Sequence, residues 1–295
     1  MTKIIVAASQ MPCSWDTDAN IALAETLVRD AASQGAKIIL LQELFETPYF
    51  CQDIDKKYKE LAKPLKNNAL IQLFQKLAAE LEVVLPVSYY EEGDNGLYNS
   101  IAIIDADGTI KNHYRKTHIP EFPGYHENEY FDAGDSGFKV TQTRYAKIGV
   151  GICWDQWFPE AARAMTLMGA ELLFYPTAIG SEPSQDSHDS RDHWQRVMQG
   201  HSGANLVPVI ASNRVGTEAG KNTSMQFYGS SFITNCLGAK IAEANRETTG
   251  VIVAEVDLAE CALHRQDWGV FQTRQPKAYG ILCEDLPKPN YSDVK

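Results

Sequence analysis

One short stretch of this chain takes an apolar strand pattern directly to a cysteine and then to a helix start. Residues 147–152 are apolar and spaced by glycines, which predicts a buried strand. Pro159 and the alanine-rich sequence after it predict the first turn of a helix. Cys153 then lies at a strand-to-helix elbow, where backbone N–H groups and a helix N-terminus can lower the pKa of a thiol. Such a placement is typical of a nucleophile, although a buried structural cysteine fits the same stretch.

Strand and helix patterns alternate along the first half of the chain. Residues 4–8 and 37–41 are apolar runs of strand length. Residues 20–34 and 67–80 place apolar side chains on one helical face, and Gly35 ends the first of these helices. This alternation is typical of an α/β fold in which helices cover the faces of a sheet. Further strands are predicted at 83–89, 98–105, 109–116, 172–175, 207–212, 231–234, 240–244 and 251–256, and a further helix at 191–204.

Two long segments show neither a strand period nor a helix period. Residues 117–139 carry several prolines and glycines, and residues 176–190 are rich in serine and acidic side chains. Loops of this length inside one domain are usually functional, so both are expected to line a pocket. With 44% hydrophobic content, residues 1–295 are expected to form a single domain. The tail from about residue 275 is expected to be an interface arm.

The charge balance argues against some classes of partner. The formal net charge is −11, and no lysine or arginine patch indicates binding to nucleic acid or to an anionic membrane. No apolar run reaches the length of a membrane span, and the N-terminal one is too short for a signal peptide. The six cysteines lack paired spacing and are expected to be reduced thiols. We therefore expect a cytoplasmic protein that binds a small molecule, with a mild preference for a cationic one.

Two charged residues stand at positions that a nucleophilic cysteine requires. Glu43 follows an apolar strand, and a carboxylate at the end of a strand is a usable general base. Lys116 ends a predicted hairpin strand and is a candidate for stabilising an oxyanion. Taken one at a time, each is also consistent with a solvated charge. Together with Cys153 they indicate a catalytic site.

Three blocks of the sequence resemble the nitrilase-like carbon–nitrogen hydrolases. The blocks are Gln42-Glu-Leu-Phe45, Tyr114-Arg-Lys116 and Gly151-Ile-Cys-Trp-Asp155, the last followed by Phe158-Pro-Glu160. The resemblance spans nearly the whole chain. It implies a four-layer α-β-β-α sandwich that associates into a homo-oligomer, a dimer or larger.

The same resemblance implies roles for individual residues. It implies a catalytic triad of three residues already named, with Glu43 as the general base, Lys116 as the oxyanion partner and Cys153 as the nucleophile. The backbone N–H of Trp154 is implied as a second oxyanion donor. A second pocket glutamate is also implied, and Glu127 occupies the matching position, with Glu129 as the alternative.

No cofactor and no metal ion are expected. Gly149 and Gly151 lack the third glycine of a dinucleotide-binding motif, because Trp154 stands in its place. The histidines between residues 188 and 201 lie among aspartates but lack the spacing of a metal site. Polar loop and helix faces account for them.

The residues near the predicted pocket indicate a cationic substrate. Family members that act on carbamoylated amino acids hold the carboxylate with an arginine just after the nucleophile, whereas residues 155–157 of this chain contain none. The acidic loop at 180–186 offers Glu182 and Asp186 as partners for an ammonium group. Trp157 is expected to be a third substrate-binding residue.

Further segments resemble the branch of the family that acts on N-carbamoylputrescine. They are residues 175–183, 190–194 and 197–200. This resemblance implies hydrolysis of that compound to putrescine, carbon dioxide and ammonia in polyamine biosynthesis. Two alternatives stay open. An ω-amidase or ureido-acid amidohydrolase needs a pocket cation such as Arg191 or Arg196, and a non-catalytic scaffold member is expected to have lost triad residues.

Overall fold

The computed structural model describes residues 3–181 and 189–285, in which strands and amphipathic helices alternate. The helices are α1 (Thr17–Ser33), α2 (Ala69–Leu81), α3 (Pro159–Leu167), α4 (Arg191–Asn205) and α5 (Leu258–Trp268). The strands are β1 (Lys3–Met11), β2 (Ile38–Leu40), β3 (Leu85–Gly93), β4 (Gly96–Ile104), β5 (Ile110–Arg115), β6 (Glu121–Phe122), β7 (Tyr125–His126), β8 (Val140–Gln142), β9 (Lys147–Val150), β10 (Leu172–Pro176), β11 (Val209–Ala219), β12 (Ser224–Tyr228), β13 (Phe232–Thr234), β14 (Lys240–Glu243) and β15 (Gly250–Asp257). Short 3₁₀ helices occupy Phe50–Gln52, Lys56–Leu61, Glu127–Glu129, Cys153–Trp157 and Pro276–Cys283.

Two sheets form the centre of the fold. In the first sheet the strand order is β15-β1-β2-β3-β4-β5, with β2 joined to β3 by a parallel bridge between Ile38 and Val84. In the second sheet the order is β8-β9-β10-β11-β13-β14, and β12 forms a hairpin with the far end of β11. The end of β1 also pairs with β11, where Met11 lies opposite Arg214. This pairing joins the two sheets.

Alternate residues of each strand belong to different cores, as the two-residue period of a strand requires. In β1, Val6 and Ala8 pack between the sheets, whereas Ala7 packs with α1 and α2. In β10, Phe174 belongs to the core between the sheets and Tyr175 packs with α3 and α4. Helices therefore cover the outer face of each sheet. The predicted four-layer α-β-β-α sandwich is confirmed.

The helix starts follow from local sequence. The Asp16 side chain accepts a hydrogen bond from the Ala19 N–H and caps α1, and the Asn68 side chain caps α2 in the same way. Pro159 stands at the first position of α3, where its missing N–H costs nothing. The helix predicted from Pro159 is therefore present.

Several elements were not predicted from the sequence. They are β8, β12 and α5, and β11 continues to Ala219 although the strand was predicted to end at residue 212. Helix α5 buries only Leu258 and Cys261, so its sequence carries little of the amphipathic period on which a helix prediction rests. The segment 117–139, predicted as a loop, contains the short hairpin of β6 and β7.

In the described part of the chain, no helix has both the length and the apolar character to cross a bilayer. The six cysteines are free thiols. Five of them are buried, and Cys283 is exposed.

Strand β9 and helix α3 approach each other closely at Gly149. A Cβ atom there would lie 2.9 Å from the Met165 Sδ and 3.0 Å from the Leu173 Cδ2. We expect Gly149→Ala to lower the free energy of unfolding by about 1–3 kcal/mol, because the added methyl overpacks the core. Urea denaturation measures the change.

A matched control is Gly200→Ala in α4, where an added Cβ meets no neighbouring heavy atom within 4 Å. Because alanine favours a helix over glycine by roughly 0.5–1 kcal/mol, this variant is expected to be as stable as the parent or more so. Equal stability of the two variants would contradict the close packing at Gly149.

Candidate active site

The backbone turns sharply at Cys153. The elbow predicted from the sequence is present, but a 3₁₀ turn, Cys153–Trp157, precedes α3. Cys153 has a φ of +41°, in the left-handed region that residues other than glycine rarely adopt. Two residues earlier, a Cβ on Gly151 would lie 2.9 Å from the Tyr175 ring, so glycine is required there. Strained backbone of this kind is common at functional sites.

A buried carboxylate holds the elbow in place. Asp155 Oδ2 accepts hydrogen bonds from the Ile152 N–H at 2.9 Å and from the Tyr114 hydroxyl at 2.7 Å. Its Oδ1 accepts from the His118 N–H at 3.0 Å and lies 2.7 Å from the His118 Nδ1. Because residues 114–118 also carry Lys116, Asp155 links the segment of the lysine to the segment of the cysteine.

A buried cation lies between two carboxylates at the centre of the site. Lys116 Nζ is 3.0 Å from Glu43 Oε1 and 2.5 Å from Glu127 Oε2. All three side chains are buried. The Asn99 amide donates to Glu43 Oε1 at 2.6 Å, and the Tyr49 hydroxyl donates to Glu127 Oε1 at 2.8 Å. Each carboxylate is therefore held by the lysine and by one neutral donor.

The second oxygen of Glu43 stands apart from this network. Among the described residues, Glu43 Oε2 is buried without a hydrogen-bond partner. Burying a carboxylate oxygen without a donor is costly, so such an atom calls for an explanation. A role as proton acceptor explains this free oxygen, because it can then take a proton from a thiol, a water molecule or a substrate group.

Burial and neighbouring charges set the protonation of the site. Burial raises the pKa of the Cys153 thiol well above its usual value, and the Glu43 carboxylate adds to the rise. A strand-to-helix elbow can lower the pKa of a thiol, but here burial and Glu43 outweigh the Lys116 charge. Burial lowers the pKa of Lys116, but the carboxylates of Glu127 and Glu43 outweigh burial and hold this pKa above its usual value. Lys116 is therefore a cation beside a protonated thiol.

Burial also affects the second glutamate. It raises the pKa of Glu127 to about 7, while the Lys116 charge acts in the opposite direction.

The site opens into a cavity of about 380 Å³ with a largely aromatic wall. The lining residues are Pro120, Phe122, Tyr125, Glu127, Cys153, Trp154, Trp157, Ile179, Ser190 and His193. The segments 117–139 and 176–190 both contribute, as the sequence predicted. The Trp157 and His193 rings pack with their centroids 4.8 Å apart. The cavity is suited to a small ligand with an alkyl portion.

The structure brings together most residues singled out in the sequence. Glu43, Lys116, Glu127 and Cys153 form one cluster, and Trp157 lines the cavity. Trp154 also lines the cavity. Its N–H is at the start of a 3₁₀ turn, where amide groups lack a partner within the helix.

Other predicted residues lie elsewhere. Glu129, the alternative to Glu127, is exposed. Glu182 and Asp186 lie outside the described residues. Arg191 pairs with Glu243, and Arg196 is an exposed side chain. Within residues 3–181 and 189–285, no group of three or more His, Cys, Asp or Glu side chains is arranged to hold a metal ion.

The residues that support the cluster were not predicted from the sequence. Asn99, Tyr49 and Asp155 each donate to or accept from a group of the site, and all three are buried. The available signal was a polar residue in an apolar strand, as with Asn99 in β4. That signal marks a buried polar group but does not identify its partner.

Known proteins resemble this chain over nearly its full length. The N-carbamoylputrescine amidase of Arabidopsis thaliana is 57% identical over 285 residues, which cover 95% of each chain. A citrullinase of Francisella tularensis subsp. tularensis is 52% identical over 279 residues, or 95% of this chain and 98% of the relative. The crystal structure of a carbon-nitrogen hydrolase from Helicobacter pylori G27 superposes with a TM-score of 0.90 at 33% identity, covering 97% of this chain and 100% of that one.

The family model for carbon-nitrogen hydrolases matches residues 5–266, a range that holds both sheets and the whole charged cluster. This chain belongs to the carbon-nitrogen hydrolase family.

Proposed function

We propose that this protein hydrolyses N-carbamoylputrescine to putrescine, carbon dioxide and ammonia, with Cys153 as the nucleophile. The arrangement of the buried cluster supports this chemistry. Lys116 is buried between Glu43 and Glu127, and one oxygen of Glu43 is unpaired among the described residues. The Cys153 thiol lines the adjoining cavity. The substrate is supported by relatives of 56–57% identity that are named for N-carbamoylputrescine.

The first step transfers the thiol proton to Glu43. Because the pKa of Cys153 is raised by burial, the resting nucleophile is a thiol and needs a base. The thiolate attacks the ureido carbon, and the carbonyl oxygen becomes an oxyanion. Lys116 and the Trp154 N–H stabilise this charge.

The later steps reuse the same groups. The tetrahedral intermediate expels ammonia, which takes its proton from Glu43, so a C–S bond replaces a C–N bond. Glu43 then takes a proton from water, the hydroxide attacks the carbamoyl-thioester, and the Cys153 thiolate leaves. The released carbamate loses carbon dioxide and gives putrescine. No cofactor is needed.

Glu127 acts by position in this scheme. Its carboxylate lies 2.5 Å from Lys116 and is fixed by the Tyr49 hydroxyl. It therefore orients the lysine and the substrate nitrogen and does not carry the main proton.

The distal ammonium of the substrate is assigned to Glu182, with Asp186 as the alternative. Glu127 is the only acidic side chain among the described residues that line the cavity, and it is already paired with Lys116. Ile179 and Ser190, on either side of the acidic loop, both line the cavity. Trp157 contributes an aromatic wall for the butyl chain and the cation.

The two alternatives are less well supported. A ureido-acid substrate such as citrulline carries a carboxylate, yet none of the described residues lining the cavity is a lysine or an arginine. Arg191 is engaged by Glu243, and Arg196 points to solvent. A scaffold role predicts a lost triad residue, and Glu43, Lys116 and Cys153 are all present.

We also assign the protein to the cytoplasm as a homo-oligomer without a nucleic-acid or membrane partner. The net charge of −11 opposes attraction to nucleic acid and to anionic lipid. Near the C-terminus, Trp268, Ile281 and Leu282 expose more than half of their surface, which suits contacts between subunits.

Replacing Cys153 or Glu43 is expected to stop the reaction without unfolding the protein. Cys153→Ala removes the nucleophile, and Glu43→Gln keeps the shape of the side chain but cannot move a proton. Ammonia release from N-carbamoylputrescine measures turnover, and circular dichroism checks the fold.

The control for these variants is Cys261→Ala, which removes a buried thiol of α5. It is expected to keep most of the activity. Appreciable turnover by purified Cys153→Ala would show that the nucleophile is misassigned.

Glu182→Gln is expected to lower kcat/KM for N-carbamoylputrescine by roughly tenfold to a hundredfold, since a charge-assisted hydrogen bond contributes about 1.5–3 kcal/mol. N-pentylurea has similar length but no ammonium group, so both proteins are expected to hydrolyse it almost equally. Steady-state kinetics on the two compounds measure this difference in kcat/KM. Citrulline is included as the ureido acid of the alternative function.

Asp186→Asn serves as the matched variant in the same loop. If it alone shows the charge-dependent loss, Asp186 is the anchor. An equal loss on the charged and the neutral compound would reject ammonium recognition by Glu182.

A further inference from the structure

Arg214 is a buried cation of β11 whose donors converge on one short segment of backbone. Its Nη2 donates to the carbonyl oxygens of Glu43 at 3.0 Å and Leu44 at 2.7 Å. Its Nη1 donates to the carbonyl oxygen of Thr47 at 2.9 Å. Three carbonyls within residues 43–47 are thus bound by a single guanidinium group.

The same guanidinium reaches the second site glutamate through a short chain of contacts. Nη1 of Arg214 donates to Glu218 Oε1 at 2.8 Å. The other oxygen of Glu218 accepts the Tyr49 N–H at 2.5 Å. The Tyr49 hydroxyl in turn donates to Glu127 Oε1 at 2.8 Å. Arg214 and Glu218 therefore fix the backbone on both sides of Thr47.

The segment needs such support because it lies beyond the end of β2. Carbonyl groups past a strand end have no ladder partner, and buried ones must find another donor. Leu44 has a φ of +48°, which a residue with a side chain rarely adopts. Such a conformation persists only where the surroundings fix it. The Leu44 N–H donates to the Ser88 Oγ at 3.0 Å, and Arg214 binds its carbonyl.

We propose that Arg214 is a positioning residue for the general base: its guanidinium holds residues 43–47 in the conformation that directs the Glu43 carboxylate toward Lys116 and Cys153. This inference rests on the proposed role of Glu43. Arg214 does not contact the substrate in this proposal. It affects the proton transfers only through the position of Glu43.

A simpler explanation of the buried Arg214 is an ion pair with Glu218 that only stabilises the fold. The contacts of Arg214 argue against this explanation. Arg214 makes one hydrogen bond to a carboxylate and three to carbonyls of a single segment. The residues it binds include the base itself and the strained Leu44. A misplacement of the base by about 1 Å costs on the order of a hundredfold in rate, so small backbone shifts here affect catalysis.

Arg214→Lys tests the proposal, because lysine keeps the charge and the pairing with Glu218 but presents a single nitrogen that cannot span these carbonyls. We expect kcat on N-carbamoylputrescine, per folded protein, to fall by roughly tenfold to a hundredfold, with KM within about twofold of the parent. Leu27→Ala, a buried change on α1 that removes none of the Arg214 hydrogen bonds, serves as a control for lost stability. It is expected to keep the parental kcat.

A folded Arg214→Lys protein with the parental kcat would overturn the proposal, as would an equal loss of kcat in Leu27→Ala at a similar melting temperature. If Arg214→Lys does not fold, Glu218→Gln replaces it, since the guanidinium stays while one of its anchors weakens. That variant is expected to lose kcat by a smaller factor at unchanged KM, and an unchanged kcat rejects the proposal. Parental activity in Glu43→Gln would instead reject the role of Glu43 itself.

Discussion

The site depends on one buried ammonium group shared by two carboxylates. Taking charges out of water costs several kcal/mol per ion, and removing one member of a buried pair costs about 3–5 kcal/mol. Lys116 meets this cost by contacting both Glu43 and Glu127, and Asn99 and Tyr49 each supply a further hydrogen bond to one carboxylate. Burial and the nearby Glu43 carboxylate keep the pKa of the neighbouring thiol high, so the thiol needs a base in every cycle.

The fold produces this cluster from strand ends. Glu43 follows β2 and Lys116 follows β5, both in the first sheet, whereas Cys153 follows β9 in the second sheet. Their distances therefore depend on how the two sheets pack against each other and on the β1–β11 pairing that joins them. Two buried side chains then fix the ends: Asp155 links the lysine segment to the elbow, and Arg214 holds the segment after β2. Catalysis and stability share these contacts, so variants at either residue need a stability control.

Much of the fold was predictable because strand and helix periods are local signals, and the three family blocks identified Glu43, Lys116 and Cys153. The supporting contacts were not predictable. Arg214 binds carbonyls about 170 positions earlier in the chain, and no local pattern encodes that pairing. The raised pKa of Cys153 was not predictable either, since it depends on burial and on charges brought from two other segments. Helix α5 was missed because only two of its side chains are buried.

If Cys153 is the nucleophile, the reaction passes through a thioester on this residue, which peptide mass spectrometry of enzyme quenched during turnover detects. We expect the peptide containing Cys153 to carry an adduct with the mass of N-carbamoylputrescine less ammonia, and alkylation of Cys153 to prevent both the adduct and ammonia release. An adduct on another cysteine, such as Cys51, or turnover that continues after Cys153 has been alkylated, would contradict it.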